Sequence, residues 1–303
     1  MKLKFDVDGR SQADPYIFED GGRLYLYATG YLGIDAYSAD DLFGVWHYEG
    51  VVASYEGGVH FWAPSVIKID DTYYMYTSFN KGEEFEYMYV ASSRSPLGPF
   101  GNWKQLYSFF SIDSHIVKTE AGLFLWSAMD NHSTSTPGTR VFLDRMLDPY
   151  TPEGDPKEVI TPDFREELFR ANRYGDGRDY YTLEGPFWFS EGEWQYVMYS
   201  GGCFQNDSYH VGYSAAKTGE QDLRKVDFVK VTNGDRFNPV LIKNEYEEGT
   251  GHHSVIKLDG QYYAIYHARD YGGKGFKKPR TARVCKLHVK DGVITAERYP
   301  NRI

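Results

Sequence analysis

Tyr181-Thr-Leu-Glu184-Gly-Pro-Phe-Trp-Phe-Ser190, continued by Glu191-Gly-Glu-Trp-Gln-Tyr-Val-Met-Tyr-Ser200, decides how this chain is read. An acidic residue precedes a Gly-Pro turn, an aromatic strand, a Gly turn and a second strand of alternating apolar residues. The same layout returns at Asp14-Pro-Tyr-Ile-Phe-Glu-Asp-Gly-Gly-Arg-Leu-Tyr-Leu-Tyr-Ala-Thr29 and at Trp62-Ala-Pro-Ser-Val-Ile-Lys-Ile-Asp-Asp-Thr-Tyr-Tyr-Met-Tyr-Thr77. It returns again at Asp113-Ser-His-Ile-Val-Lys-Thr-Glu-Ala-Gly-Leu-Phe-Leu-Trp126 and at His252-His-Ser-Val-Ile-Lys-Leu-Asp-Gly-Gln-Tyr-Tyr-Ala-Ile-Tyr-His267. The opening residues of the five copies lie 48, 51, 71 and 68 residues apart. A repeat of about 40 to 50 residues built from short strands is the pattern of a β-propeller, and the two longer intervals imply insertions. The expected fold is all-β, a single five-bladed β-propeller, with residues 1–303 forming one domain.

Composition agrees. Aromatic residues make up 17% of the chain, 27 of them Tyr, with 31 Gly and 13 Pro, which suits many short strands and tight turns. The one helical candidate runs from Asp163 to Ala171, with Pro162 and Asp163 as its start signal. A net charge of −10 without a basic cluster excludes nucleic acid as a partner. No apolar run is long enough to span a bilayer, so no membrane role is expected. The start, Met1-Lys-Leu-Lys-Phe-Asp-Val-Asp, lacks the apolar core of a signal peptide, and a cytoplasmic location is expected on that ground. Cys203 and Cys285 stand far apart in no metal-ligand spacing and read as reduced thiols.

If each copy opens at the same place in its blade, Asp14, Trp62, Asp113, Glu184 and His252 all point to one end of the propeller axis. A repeat used only for packing would put small or apolar residues there. Converging carboxylates repel one another and at least one should hold its proton. Glu184 is the candidate, because Pro186, Phe187 and Trp188 follow it and would exclude water. Two carboxyl groups with separated pKa values are what cleavage of a glycosidic bond requires. Taken singly, Asp14 and Asp113 could be turn residues and Trp62 a core residue; the shared repeat position is what gives them weight.

The set Asp14-Pro-Tyr, Trp62-Ala-Pro, Asp113-Ser-His, Glu184-Gly-Pro and Gly251-His-His-Ser resembles the five-bladed propeller of glycoside hydrolase family 43 over nearly the whole chain. The resemblance implies Asp14 as general base, Glu184 as general acid, Asp113 as modulator of the acid's pKa, and an inverting mechanism. It implies that Trp62 lines the subsite of the terminal sugar. It further implies a Ca2+ ion or similar cation held mostly through waters by His252, with His253 the alternative. A lone imidazole is a poor ligand for a hard cation, so the residues themselves argue for the metal only weakly. Arg280-Thr-Ala-Arg283 resembles a segment in which an arginine reaches the substrate; Arg283 is the expected residue, and Arg269 a further candidate.

The function so implied is release of a terminal α-L-arabinofuranose from plant-derived oligosaccharides, with β-D-xylosidase as the alternative. Exo action is expected for short, imported oligosaccharides, and the lack of a C-terminal β-sandwich tilts the reading toward arabinofuranosidase. A non-catalytic sugar-binding propeller would have lost at least one of the three carboxylates. A scaffold for protein partners would show no converging carboxylates at all. Subsite shape should depend on insertions around Phe109–Ser114, Asn131–Thr139 and Phe204–Ser208.

Overall fold

A computed structural model describes residues 1–272 and 278–298. Five antiparallel meanders follow one another along the chain. Blade 1 comprises Tyr16–Asp20, Arg23–Ala28, Ile34–Ala39 and Val45–Ala53, and blade 2 Val59–Ile69, Thr72–Asn80, Tyr87–Ser93 and Gly101–Gln105. Blade 3 comprises Ser111–Thr119, Gly122–Asn131 and Gly138–Asp148, its edge completed by Thr151–Pro152 and Lys157–Ile160. Blade 4 comprises Tyr180–Glu191, Trp194–Gly201, His210–Lys217 and Val229–Lys230; blade 5 Glu247–Leu258, Gln261–Asp270, Thr281–Lys290 and Val293–Glu297. The first strands of the blades touch in the order 1-2-3-4-5-1, which makes a ring of five sheets around an axis.

Aromatic side chains fill the wedges between blades. Between blades 1 and 2, Phe61 stacks on Phe79 at 4.5 Å and Phe79 on Tyr89 at 4.1 Å. Phe187, Met198, Tyr213, Tyr266 and Leu287 join blades 4 and 5. Leu26, Tyr37, Trp46, Ile265 and Val284 join blades 5 and 1. A flat sheet face meets its neighbour at an angle, and only large rings fill the wide outer part of that wedge.

In or just ahead of each first strand a residue near the axis lies in the left-handed backbone region: Asp14 at φ 53°, Ala63 at 45°, Asp113 at 60°, Gly185 at 56° and His252 at 44°. Four of the five strand pairs show a register shift at that residue. Such a kink turns the strand end toward the axis and frees a backbone N–H from the ladder. In four blades a side chain of the preceding blade takes that N–H: His267 Nδ1 for Asp14 at 3.2 Å, Thr29 Oγ1 for Ala63 at 2.9 Å, Asp113 Oδ2 for Gly185 at 2.9 Å, and Ser200 Oγ for His252 at 2.7 Å. The expectation that all five opening residues share one position is thereby corrected. Asp14, Asp113 and His252 do share it, whereas Ala63 and Gly185 occupy it in blades 2 and 4, and Trp62 and Glu184 stand one residue earlier.

The ring closes twice over. Near the axis, Ser254 Oγ of blade 5 accepts the Ile17 N–H at 2.9 Å and donates to the Pro15 carbonyl at 2.8 Å. At the periphery, residues 1–5 lie between blades 5 and 1. Leu3 N–H donates to Ala282 O and Val284 N–H to Met1 O, while Lys4 and Phe5 pair in parallel with Val45 and Trp46.

The helix expected over Asp163–Ala171 is a single 3-10 turn, Arg165–Glu167, followed by the strand Leu168–Arg170. Glu167 is fully buried and its carboxylate accepts the Asp163 and Phe164 N–H groups and the Lys230 ammonium, which holds the turn closed before a helix can propagate. Blades 3 and 4 join edge to edge where Gly138 pairs with Tyr181; a Cβ at Gly138 would lie 1.8 Å from the Tyr181 carbonyl oxygen.

Ser254→Ala should fold but lose about 1–3 kcal/mol, because it leaves a buried N–H and a buried carbonyl unpaired at the ring closure. The shift of the chemical-denaturation midpoint measures this. A variant as stable as the parent would show that the ring is closed by the peripheral strands alone.

Candidate active site

The kinks bring Asp14, Asp113 and His252 to the axis, while the residues just before them in blades 2, 3 and 4, Trp62, Ile112 and Glu184, stand around the mouth. Together with Phe204 and Arg280 they line a pocket of about 140 Å3. The expected residues Asp14, Trp62, Asp113, Glu184 and His252 are all in its wall. Ligand atoms of Asp113, Glu184 and His252 lie within 4.8 Å of one another.

Arg283 is not there. Its guanidinium is fully buried on the third strand of blade 5, bound to Glu247 at 3.2 Å and Asp270 at 2.8 Å, and both charges are spent on holding blade 5 together. Arg280, three residues earlier and just outside that strand, lines the pocket and donates to Asp14 Oδ1 at 3.1 Å. Arg269 is also buried; it donates to the carbonyls of Phe204 and Asn206 and so holds the loop that brings Phe204 to the pocket. Trp188, expected beside Glu184, faces the core between blades 3 and 4 instead.

The three carboxyl groups differ because their partners differ. Burial would raise Asp14, but the Arg280 guanidinium, with His252 and His267 close by, holds it well below the usual carboxylate range. Thr29 Oγ1 also donates to Asp14 Oδ2 at 2.5 Å. Burial pushes Glu184 up to about 7, against the Tyr209 hydroxyl, which donates to Glu184 Oε1 at 2.6 Å and favours the ionised form. Asp113 is raised well above its ordinary value by burial and by the charges of Glu184 and Asp14. Asp113 and Glu184 thus titrate as a pair that keeps a proton near neutrality while Asp14 is ionised. Burial lowers His252, against the charge of Asp14.

Tyr209 carries no motif in the sequence. It stacks on His267 at 5.6 Å and packs where Gly251 has no side chain; a Cβ there would lie 2.1 Å from the ring. Gly251 stands beside His252 in a motif already singled out, and that juxtaposition was the available signal. Arg280 was in the quoted segment and differed from Arg283 only in lying ahead of the strand.

Carboxylate oxygens are hard donors, and Asp113 and Glu184 beside His252 are the described residues whose placement fits a hard cation. Behind His252, His253 is buried with neither ring nitrogen hydrogen-bonded to protein, in an axial cavity of about 10 Å3. That volume takes about one water, and Glu184 does not line it.

Carboxyl groups of separated proton affinity, beside an indole and a guanidinium in one pocket of a five-bladed ring, are the equipment of a propeller glycoside hydrolase. The sequence profile described as Glycosyl hydrolases family 43 matches residues 7–294, and the chain belongs to that family. It is 27% identical to the extracellular exo-α-(1→5)-L-arabinofuranosidase of Streptomyces avermitilis, over 96% of this chain and 66% of that protein. It is 24% identical to a xylosidase/arabinosidase of Thermoclostridium stercorarium, over 93% of this chain and 63% of that protein. The chain thus spans about two thirds or less of the length of these curated relatives. The crystal structure of a thermostable family-43 glycoside hydrolase superposes with a TM-score of 0.80 at 26% identity, covering 99% of this chain and 97% of that one. The Bacteroides thetaiotaomicron structure described as an endo-1,4-β-xylanase gives 0.78 at 25% identity, covering 95% of each. The fold is the five-bladed β-propeller.

Glu184→Gln should stabilise the protein at alkaline pH and not at acid pH. The folded-state pKa of about 7 lies above the ordinary 4.5, so the parent is favoured below the ordinary value and loses stability as pH rises through the raised one. The gain above neutrality should be roughly 2–3 kcal/mol, discounted for the partly open pocket. Thermal melts of both proteins across pH give the difference; a gain that does not vary with pH would place the raised pKa elsewhere.

Proposed function

We propose that the chain is an inverting, exo-acting glycoside hydrolase that releases terminal α-L-arabinofuranose from plant-derived oligosaccharides. The observation that carries this reading is the separation of proton affinities within one pocket: Asp14 ionised beside Arg280, and the Asp113–Glu184 pair holding a proton. A volume of about 140 Å3 is well below the roughly 300–1,000 Å3 of pockets for drug-sized ligands and suits a single sugar ring, which supports exo action.

In the proposed reaction Glu184 gives its proton to the glycosidic oxygen as the bond to the anomeric carbon breaks. A water on the opposite face loses a proton to Asp14 and forms the new C–O bond, so the released sugar is inverted. Asp113, which accepts the Gly185 N–H, fixes the backbone beside the acid and shares a proton with it, so that the two do not ionise together. Trp62 offers an apolar face to the sugar, and Arg280 both orients Asp14 and reaches the pocket. A Ca2+ ion, if held beside His252, would supply positive charge that offsets the repulsion among the carboxylates.

Two similar proteins, that of Streptomyces avermitilis and the α-L-arabinofuranosidase B of Pyricularia oryzae, carry arabinofuranosidase names. The xylosidase/arabinosidase name of the Thermoclostridium relative supports β-D-xylosidase activity as the second reading. Incubation with aryl α-L-arabinofuranoside and aryl β-D-xyloside, followed by proton NMR of the first-formed sugar, tests both. Release of inverted arabinose is expected; a retained configuration or the absence of any released pentose overturns the reading.

The pH profile should respond to two substitutions in opposite directions. Glu184 works protonated, so activity falls as pH rises through its pKa, while Asp14 works ionised and sets the acid side. Asp113→Asn removes a like charge and should move the alkaline limb down by about one unit; Tyr209→Phe removes a bond to the ionised form and should move it up. The kcat/KM profiles of both variants decide this, and an alkaline limb unmoved in both would mean that another group is titrating.

Leaving-group chemistry separates acid from base. Glu184→Ala should lose roughly 10² to 10⁴-fold on a natural oligosaccharide but far less on an activated aryl glycoside, whose phenolate needs no proton. Asp14→Ala should be crippled on both, because water must be activated whatever departs. Rescue of Asp14→Ala by the better leaving group would reverse the two roles.

A further inference from the structure

A second and larger depression, of about 780 Å3, opens beside the catalytic pocket among loops of blades 2, 3 and 4. Phe85 reaches it from the blade 2 loop, Phe109 and Phe110 from the connection between blades 2 and 3, and Tyr174 and Arg178 from the insertion ahead of blade 4. Phe85, Phe109 and Tyr174 are 44%, 45% and 57% exposed. Single exposed rings are ordinary on a protein surface, but three around one depression mark a binding surface.

The polar groups among these rings are held in place. Arg178 donates to the His132 carbonyl at 2.8 Å and to Asp176 at 2.7 Å. Asp130 accepts the Tyr180 hydroxyl at 2.5 Å and contacts His132 at 3.2 Å. Fixed donors and acceptors between aromatic faces suit a ligand with apolar C–H faces and hydroxyl edges, and their rigidity lowers the entropic cost of binding. Glu84, Asp130 and Asp176 face a single guanidinium that Asp176 already neutralises, so the surface disfavours an anion. The chemistry selects neutral sugars.

Two paths tie the depression to the catalytic pocket. Phe110 lines the first and Ile112 the second, two residues apart on nearly extended chain, about 7 Å. On the other side an aromatic file runs from Phe204 in the catalytic wall through Phe169 at 6.5 Å and Tyr180 at 6.0 Å to Tyr174 at 5.7 Å. A chain leaving the small pocket past Ile112 enters this depression directly.

We propose that the depression is the leaving-group site, which binds about two or three consecutive neutral sugar units of the chain that carries the scissile terminal residue. The enzyme then acts on sugars attached to an oligosaccharide chain in preference to short disaccharides. This rests on the hydrolase reading above and deepens it.

The test compares an aryl pentoside with pentose-terminated oligosaccharides whose leaving group grows one neutral sugar at a time. In the parent, kcat/KM should rise by about tenfold as the chain fills the depression, the scale of one aromatic contact, and then level off. The double variant Phe109→Ala/Tyr174→Ala should lose that rise through KM while hydrolysing the aryl pentoside as the parent does, which also shows that it folds. A parent indifferent to chain length, or a double variant that loses equally on every substrate, overturns the site while the hydrolase reading stands. Hydrolysis of no substrate at all by the parent overturns both.

Discussion

Everything at the axis depends on a left-handed residue in or just ahead of the first strand of each blade and on the neighbour that receives its freed N–H. For a residue with a side chain the left-handed region costs roughly 1–2 kcal/mol, and four of the five positions here are not glycine. The cost is met across blade boundaries: His267, Thr29, Asp113 and Ser200 each bond the kink of the next blade. One device therefore sets the pitch of the ring and aims the reactive side chains. Asp113 serves in both capacities, as pocket carboxylate and as receptor for the Gly185 N–H. Its bond fixes the backbone one residue from Glu184, so the geometry of the acid is referred to the blade before it.

Charge is distributed unevenly around this frame. Among the described residues one cation, Arg280, reaches the pocket beside three carboxyl groups, and it lies against Asp14. The other two are left to share a proton in a space where, among the described residues, the Tyr209 hydroxyl is the hydrogen-bond donor to Glu184. Imidazoles do not relieve them: burial lowers His253 and His267 to about 3, so both are neutral at working pH. A single arginine thus breaks the symmetry that the repeat would otherwise impose.

The repeat, the blade number and the five residues of the pocket wall were legible because strand alternation, Gly turns and the pre-strand residues recur in plain sequence. The register was not. Aligning the copies on chemical type placed Glu184 and Trp62 level with Asp14, whereas the backbone aligns Gly185 and Ala63 with it. Position in φ space is not written in side-chain chemistry, and Ala63 gives no hint of it. The resemblance of Arg280-Thr-Ala-Arg283 pointed to the segment but not to its member, and the strand carries Arg283 into a buried ion pair. Tyr209 was invisible because its role depends on Gly251, which is distant in sequence and adjacent in space. The helix over Asp163–Ala171 failed because Glu167 bonds the backbone locally and a strand pairing with Tyr181 takes over at Leu168.

The pairing of residues 1–5 with both Trp46 and Ala282 has a consequence for the order in which the molecule comes into being. At about 5–20 residues per second, synthesis takes on the order of tens of seconds to pass from blade 1 to residue 284. Throughout that time residues 1–5 have half of their eventual partners: Lys4 and Phe5 can pair with Val45 and Trp46, but Met1 and Leu3 have no last blade beside them. The open side of that short segment is an unpaired edge, which invites other strands. The ring is sealed when residues 1–5 meet blade 5, so the nascent chain passes through an open, four-bladed arc before it owns an axis.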